Sequence, residues 1–250
     1  MRVLFLSRRL LTTLLLCAVF LTLFFALLPS LSERFVVQPA DTTLVTRVES
    51  KEKLVALTFD DGPDPVSTRE ILPLLARYQV KATFFLVGYR VRQHPDLAAE
   101  IARQGHQIEN HSMTHPPLNG LRQQDVESQI KTAAFHIQEA TGHRTRYFRP
   151  PDGEISPAVE EAARRTGHKL VGYSLTAATI PYRGILPPGK QWTDIIPPGS
   201  IIRLRDREDC REETLRCLHF LLEVLTREGY RFMTIDQLIA AGEEEAKKKQ

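Results

Sequence analysis

The sequence predicts an α/β domain built on a mostly parallel sheet. From Leu54 onward, short apolar runs (LVALTF, ATFFLV, KLVGYSL and SIIRL) are separated by amphipathic stretches at 66–79, 95–104, 122–140, 156–166 and 211–228. Alternation of strand and helix signals leads to a sheet whose strands run the same way, because each crossover helix returns the chain to its starting end. Composition agrees. With 42% hydrophobic and 25% charged residues over 250 residues, the chain holds enough apolar material for one sizeable core and is not of the disordered class.

The chain opens on a different kind of segment. Residues 1–9 carry Arg2, Arg8 and Arg9 and no acid, and residues 10–28, LLTTLLLCAVFLTLFFALL, contain no charge, Pro or Gly. Such a run is long enough to cross a bilayer core of about 30 Å as a helix. Basic residues ahead of it place the N-terminus in the cytoplasm and the remainder outside. The segment reads as a transmembrane signal anchor. A cleaved signal peptide is the competing reading, with Ser30-Leu31-Ser32 offering small residues for cleavage. The protein is therefore expected to be membrane-anchored with an extracytoplasmic catalytic domain, or secreted if the segment is removed. Cys17 follows Leu16 rather than a small residue, which argues against a lipoprotein site.

Residues 29–51 mix Pro, Ser, Thr and charges without periodicity and read as a stalk. The α/β domain is expected over 52–241, and 242–250 as a solvated charged tail. Setting aside the three N-terminal arginines lowers the 33 basic residues to 30, equal to the 30 acidic ones. A neutral body gives no electrostatic case for a nucleic-acid partner. Cys210 and Cys217 on one helix would lie about 10 Å apart along its axis, too far to bridge. A disulfide needs Cys210 in the preceding loop; otherwise both are free thiols.

Three loops carry the chemistry, each at the C-terminal end of an expected strand, where α/β folds build their sites. LTFDDGPDP, 57–65, sets Asp60 and Asp61 side by side, and adjacent carboxylates need a compensating cation unless the corner is solvated. Asp64, beyond the Gly-Pro corner, reads as turn chemistry. GHQIENHSMTHPPL, 105–118, supplies His111 and His115. Two imidazoles so spaced on a helical turn share one metal, and Pro116 ends that turn; a pair of surface histidines is the plain alternative. RYFRPPDGEIS, 146–156, places Arg149 before two prolines and Gly153, a rigid turn suited to orienting a carboxylate.

Together, one carboxylate and two histidines make a three-ligand metal site with an open position for water, and a second carboxylate beside it can act as base. An iron oxygenase shares that ligand set, but its ligands come in another order and it needs a cosubstrate site that the sequence does not show.

The order DDGP, then HxxxH, then RPPxG resembles the polysaccharide deacetylase family, also called the NodB-homology or carbohydrate esterase family 4 group, over about residues 52–241. The resemblance implies a distorted (β/α) barrel of about seven strands. It implies a metal-dependent hydrolase that removes N-acetyl groups from a cell-envelope or extracellular polysaccharide, peptidoglycan-like or chitin-like. It would make Asp60 the general base and Asp61, His111 and His115 the ligands of a divalent metal, zinc first, with cobalt or nickel accepted. Arg149 would orient Asp60, the backbone N–H of Asp152 would help bind the oxyanion, and Pro150, Pro151 and Arg205 would face substrate.

The sequence departs from the family pattern at the step that protonates the leaving amine. The fifth motif normally ends in Leu-x-His; here GSIIRLRD has Arg205 in the histidine position and Arg203 in that of an apolar residue. The fourth normally carries an Asp near a Trp; KLVGYSLTAATIPY has neither, and Thr176 and Thr179 fall near the expected acids. Asp152 replaces a common aromatic. Arginine, with a pKa above about 12, delivers no proton at neutral pH but binds anions. Three readings remain open: a deacetylase whose acid is Asp60 or another group, an O-acetyl glycan esterase, or a metal-holding glycan-binding pseudoenzyme. Arg203, Arg205 and Arg207 suit an acidic glycan, or simply alternate along a strand. Trp192 either replaces the missing aromatic or anchors a loop, and Glu109 is a candidate neighbour of the metal site. His106 is assigned a structural role, and the remaining histidines read as ordinary.

Overall fold

The computed structural model describes residues 44–182, 186 and 189–248. The basic N-terminus, the apolar segment 10–28 with Cys17, and most of the expected stalk lie outside the described residues. Among the described residues, no helix is long and apolar enough to cross a membrane.

The elements in order are β1 (Leu54–Asp60), α1 (Ser67–Arg77), β2 (Thr83–Leu86), α2 (Gly88–Gln93), α3 (Pro95–Arg103), β3 (Gln107–Asn110), α4 (Gln123–Thr141), β4 (Tyr147–Phe148), α5 (Pro157–Arg165), β5 (Lys169–Leu170), β6 (Leu175–Thr176), α6 (Trp192–Ile195), β7 (Ser200–Arg205), α7 (Arg211–Arg227), β8 (Arg231–Met233) and α8 (Ile235–Lys247). The strands run in the order β5-β4-β3-β2-β1-β7-β6, and β8 pairs with the first half of β1. All of these pairings are parallel. The result is a curled parallel half-barrel flanked by helices, as expected.

β1 is buried at every position. It has β7 on one edge, with β2 and β8 sharing the other. A strand covered on both edges and both faces needs apolar residues throughout, which is why LVALTF shows no alternation. Phe59 of β1 stacks on Phe84 of β2, ring centroids 4.9 Å apart, at the centre of the main core.

Four features differ from expectation. KLVGYSL is not one strand but two, β5 and β6, broken around Gly172. There Val45 takes over the pairing: its N–H donates to Leu170 O (3.0 Å) and its carbonyl accepts from Gly172 N–H (2.9 Å). The end of the expected stalk is thus part of the domain, and Val48 N–H donates to Gly199 O (3.0 Å). The charged tail is also mostly helix. α8 starts at a reciprocal cap between Thr234 and Gln237 and runs to Lys247. Its Glu245 carboxylate accepts from Ser50 Oγ (2.9 Å) and Lys51 N–H (3.1 Å). The three residues of β8 were too few to register as a strand. Cys210 does lie ahead of α7, in a 3-10 turn, yet it and Cys217 are both free.

Candidate active site

The C-terminal ends of β1, β3, β4 and β7 converge, and the predicted residues meet there. Asp60 closes β1 and is 2% exposed. Its Oδ1 accepts from Arg149 Nη1 at 2.6 Å. Arg149 follows β4 and is itself 1% exposed. Its guanidinium also donates to Thr58 Oγ1 (2.8 Å), Val171 O (3.2 Å) and Gly172 O (2.7 Å), and lies 4.0 Å from the Phe85 ring centroid. Burial pulls its pKa down, and the Asp60 charge opposes that. The planar fork is held on several sides, so it orients one carboxylate oxygen rather than merely neutralising it.

Asp61 has φ 76°, in the left-handed region, and this turns its carboxylate away from that of Asp60. Asp61 Oδ1 lies 3.1 Å from His115 Nε2 and 3.4 Å from His111 Nε2. Burial works against the Asp61 charge, but the two imidazoles outweigh it and hold the carboxyl well below the usual range. The same contact raises His115. His111 Nδ1 donates to Arg149 O at 2.7 Å, which locks the ring from behind with Nε2 toward Asp61. One donor atom from each of Asp61, His111 and His115 lies within 4.8 Å of the others. Two imidazole nitrogens and one carboxylate oxygen, with one ring locked from behind, fit a divalent metal.

The His111–His115 segment is not the helical turn expected from its spacing. Ser112 and His115 have φ 68° and 54°. Asn110 Oδ1 accepts from Ser112 N–H (2.9 Å), Ser112 Oγ from His115 N–H (3.0 Å), and Gln129 Oε1 of α4 from the N–H groups of Met113 and Thr114. These side-chain bonds supply what a helical ladder would have supplied, and the loop brings both rings to Asp61 by another route.

Pro151–Gly153 form a 3-10 turn in which Asp152 has φ 53°. The Asp152 side chain is 59% exposed and its Oδ1 lies 3.6 Å from Arg205 Nη2. Arg205 ends β7, in register with Asp60. Its Nε is 3.9 Å from Asp61 Oδ2, as is Nη1 of Arg207, which also pairs with Asp209 at 2.5 Å. Arg203 instead stacks on Tyr173, 4.2 Å from the ring centroid. Thr176 and Thr179 bond each other across a 3-10 turn: Thr179 Oγ1 accepts from Thr176 N–H and donates to Thr176 O, both at 2.9 Å. Among the described residues neither hydroxyl hydrogen-bonds to Arg205. A cavity of about 670 Å³ opens over the cluster, lined by Asp61, Tyr89, Arg90, His115 and Arg207 among others.

Some candidates lie elsewhere. Glu109 does not touch the metal site. Its Oε2 accepts from the N–H groups of Arg146 and Tyr147 (2.8 Å each), Oε1 from Gln107, and burial pushes its pKa up to about 7. Its carboxylate is held by the strand beside it, on the amides that lead into β4, and not by the His111 loop. Trp192 is a core anchor, edge-on to Phe220 at 5.2 Å. His106 is structural as expected: Nδ1 accepts from Ala82 N–H (3.2 Å), and burial drives its pKa down to about 4. Asp64 does more than form a turn, since its Oδ1 caps the start of α1 and its Oδ2 pairs with Arg90 at 3.0 Å.

Sequence reasoning missed Asp206. It is fully buried, donates its N–H to Asp60 O (2.7 Å), and accepts from Thr68 Oγ1 at 2.5 Å. Burial pushes its carboxyl pKa up to about 7. A Cβ on Gly62 would collide with its Oδ2, so the glycine of DDGP is the space this carboxyl occupies. The acid at the end of RLRD was the available signal. The α2 wall of the cavity left no signal beyond a short polar run.

Residues 47–171 match the family model for polysaccharide deacetylases. A peptidoglycan-N-acetylglucosamine deacetylase of Bacillus cereus is 32% identical over 194 residues, which cover 77% of this chain and 91% of that protein. A chitooligosaccharide deacetylase of a Bradyrhizobium species is 31% identical over 201 residues, covering 76% and 92%. Among solved structures, a mutant of a CE4 family pseudoenzyme with restored enzymatic activity is 25% identical, covers 81% of this chain and 73% of its own, and superposes with a TM-score of 0.68. The wild-type form of that pseudoenzyme is from Bacillus anthracis. The chain belongs to the polysaccharide deacetylase family.

Proposed function

We propose that this member of the polysaccharide deacetylase family removes N-acetyl groups from a cell-wall polysaccharide. The observation that carries the reading is the Asp60 carboxylate, held at 2.6 Å by buried Arg149, beside the Asp61–His111–His115 cluster, whose Asp61 and His115 line an open cavity. Relatives named for peptidoglycan and for chitooligosaccharide support the substrate class.

Asp61, His111 and His115 would hold the metal, zinc first and cobalt or nickel next, and it supplies Lewis acidity for hydrolysis of a poor electrophile. Asp60 takes the proton of the attacking water, and Arg149 keeps it aimed. The backbone N–H of Asp152 donates to the developing oxyanion, on a loop stiffened by Pro150 and Pro151. Arg205 returns no proton to the departing amine. Asp60 has just collected one and is the group placed to hand it on. The segment 10–28 would keep this site outside the membrane, tethered if uncleaved and released if cleaved.

The substitution of Arg205 for histidine favours a second reading, an O-acetyl esterase or a metal-holding glycan-binding protein, because neither needs a strong general acid. Acetate release from N-acetylated and O-acetylated oligosaccharides, with and without added zinc or cobalt, separates these. Acetate from the amides, abolished by Asp60→Asn with metal uptake retained, supports the proposal. Failure to take up metal refutes both hydrolase readings. Tight metal uptake with no acetate from any glycan leaves the binding role.

A further inference from the structure

Two guanidinium groups stand over the one carboxylate of the metal cluster. Arg205 Nε and Arg207 Nη1 each lie 3.9 Å from Asp61 Oδ2, beyond hydrogen-bond reach, and their side chains are 40% and 35% exposed. Arg207 has Asp209 as a close partner at 2.5 Å. Arg205 has none: its other carboxylate, on exposed Asp152, is 3.6 Å away. Among the described residues the Arg205 guanidinium makes no hydrogen bond, an uncommon state for a five-donor fork beside a buried cluster.

The other charges nearby are already matched. Arg149 pairs with Asp60, and Arg90 with Asp64. A divalent cation on Asp61 takes up the charge that Arg205 and Arg207 now face, so the loaded site carries excess positive charge at its β7 edge. The register of β1 with β7 sets Arg205 opposite Asp60, so an anion on this fork sits beside the reacting acetamide rather than several sugars away.

We propose that Arg205, supported by Arg207, is a specificity clamp for a carboxylate borne by the acetamido sugar itself, so that the site takes an anionic glycan in preference to a neutral one. The placement of the acetamide rests on the deacetylase reading above; the anion preference does not. A bidentate carboxylate at Arg205 makes two parallel charge-assisted hydrogen bonds, enough for a preference of about tenfold or more. The carboxylate comes either from a lactyl ether on the ring position next to the acetamide, as in a muramoyl unit, or from C6 of an acetamido uronic acid.

The experiment uses the full chain with zinc and three oligosaccharides of equal length: neutral N-acetylglucosamine, an alternating muramoyl oligomer, and one containing an acetamido uronic acid. Acetate release gives kcat/KM, and titration calorimetry gives Kd whether or not turnover occurs. At least a tenfold preference for one carboxylated oligomer is expected. It should fall several-fold toward unity in Arg205→Gln, survive only in part in Arg205→Lys, which keeps the charge but loses the bidentate fork, and shrink as salt rises. The preferred oligomer identifies the carboxylate. Loss of the preference in Arg205→Gln by calorimetry, with no acetate from any oligomer, upholds the clamp while the deacetylase reading fails. Equal kcat/KM for all three, unchanged in Arg205→Gln, overturns the clamp and leaves the deacetylase. An equal Kd for neutral and carboxylated oligomers overturns it too. Circular dichroism of each variant checks the fold, and the lysine variant keeps the proposal refutable if the glutamine variant fails to fold.

Discussion

Replacing Arg149 by methionine tests how the general-base half of the site is held. The guanidinium is 1% exposed and makes four hydrogen bonds: to Asp60 at 2.6 Å, Thr58 at 2.8 Å, Val171 O at 3.2 Å and Gly172 O at 2.7 Å. Methionine fills much of the volume under Phe85 but leaves Asp60 a buried carboxylate without its cation. Breaking a buried pair by removing one partner costs about 3–5 kcal/mol. For a domain of this size that corresponds to a fall in melting temperature of roughly 6–20 °C. Urea unfolding followed by circular dichroism measures the cost directly. The double variant Asp60→Asn/Arg149→Met removes the stranded charge as well and should regain roughly half of it, because two neutral groups replace one uncompensated ion. If Arg149→Met unfolds within about 1 kcal/mol of the wild type, Asp60 is solvated rather than held, and the assignment of Arg149 as its orienting partner is wrong.

Three further outcomes are expected. Asp206, with its pKa raised to about 7, contributes stability below the ordinary carboxylate range that is lost as pH rises from about 4 through about 7. Asp206→Asn should therefore gain on the wild type over that interval in thermal melts; a constant difference with pH would refute the assignment. His106 and His168, lowered to about 4, act oppositely and cancel in the comparison. Gly62→Ala places a methyl on Asp206 Oδ2 and should cost about 1–3 kcal/mol and weaken zinc uptake by calorimetry, since the loop carrying Asp61 must shift. Arg205→His alone should raise acetate release little. Thr176 and Thr179, near the positions of the family's acids, bond each other and supply no carboxylate to orient the new ring from that side; a gain of a hundredfold would show that orientation from there is unnecessary.

The parts of the fold legible in sequence were those with many buried residues in one run. LVALTF and the long amphipathic helices declare themselves because both strand edges or a whole helix face must be apolar. β4 and β5 are two residues each and β8 three, set by their neighbours rather than by their own pattern, and so left little trace. The site was legible for a different reason. Asp60, Asp61, His111, His115 and Arg149 are residue types that have little reason to be buried except to meet one another, and they do meet. What sequence spacing misstated was the route. HxxxH suggested a helical turn, and the protein uses two left-handed residues bonded through Asn110 and Ser112. Asp206 escaped notice because its partners, Thr68, Gly62 and the Asp60 carbonyl, are distant in sequence.

The two halves of the site differ in how they are tied to the fold, and this bears on which half tolerates change. Arg149 links three loops at once: its carbonyl fixes His111, its N–H donates to Asn110 O, and its guanidinium holds Asp60. Any substitution there breaks buried bonds. At the β7 end the backbone is equally fixed, through Asp206 N–H to Asp60 O, but the side chains are not. Arg205 and Asp152 are 40% and 59% exposed, and their mutual contact is 3.6 Å. Exchanging such a side chain changes chemistry without changing the fold. Arg205→Gln should thus cost under about 0.5 kcal/mol in urea unfolding, against about 3–5 for Arg149→Met. A cost at Arg205 comparable to that at Arg149 would mean that the β7 edge is structurally coupled to the metal cluster, and that its arginines hold Asp61 in place rather than wait for a ligand.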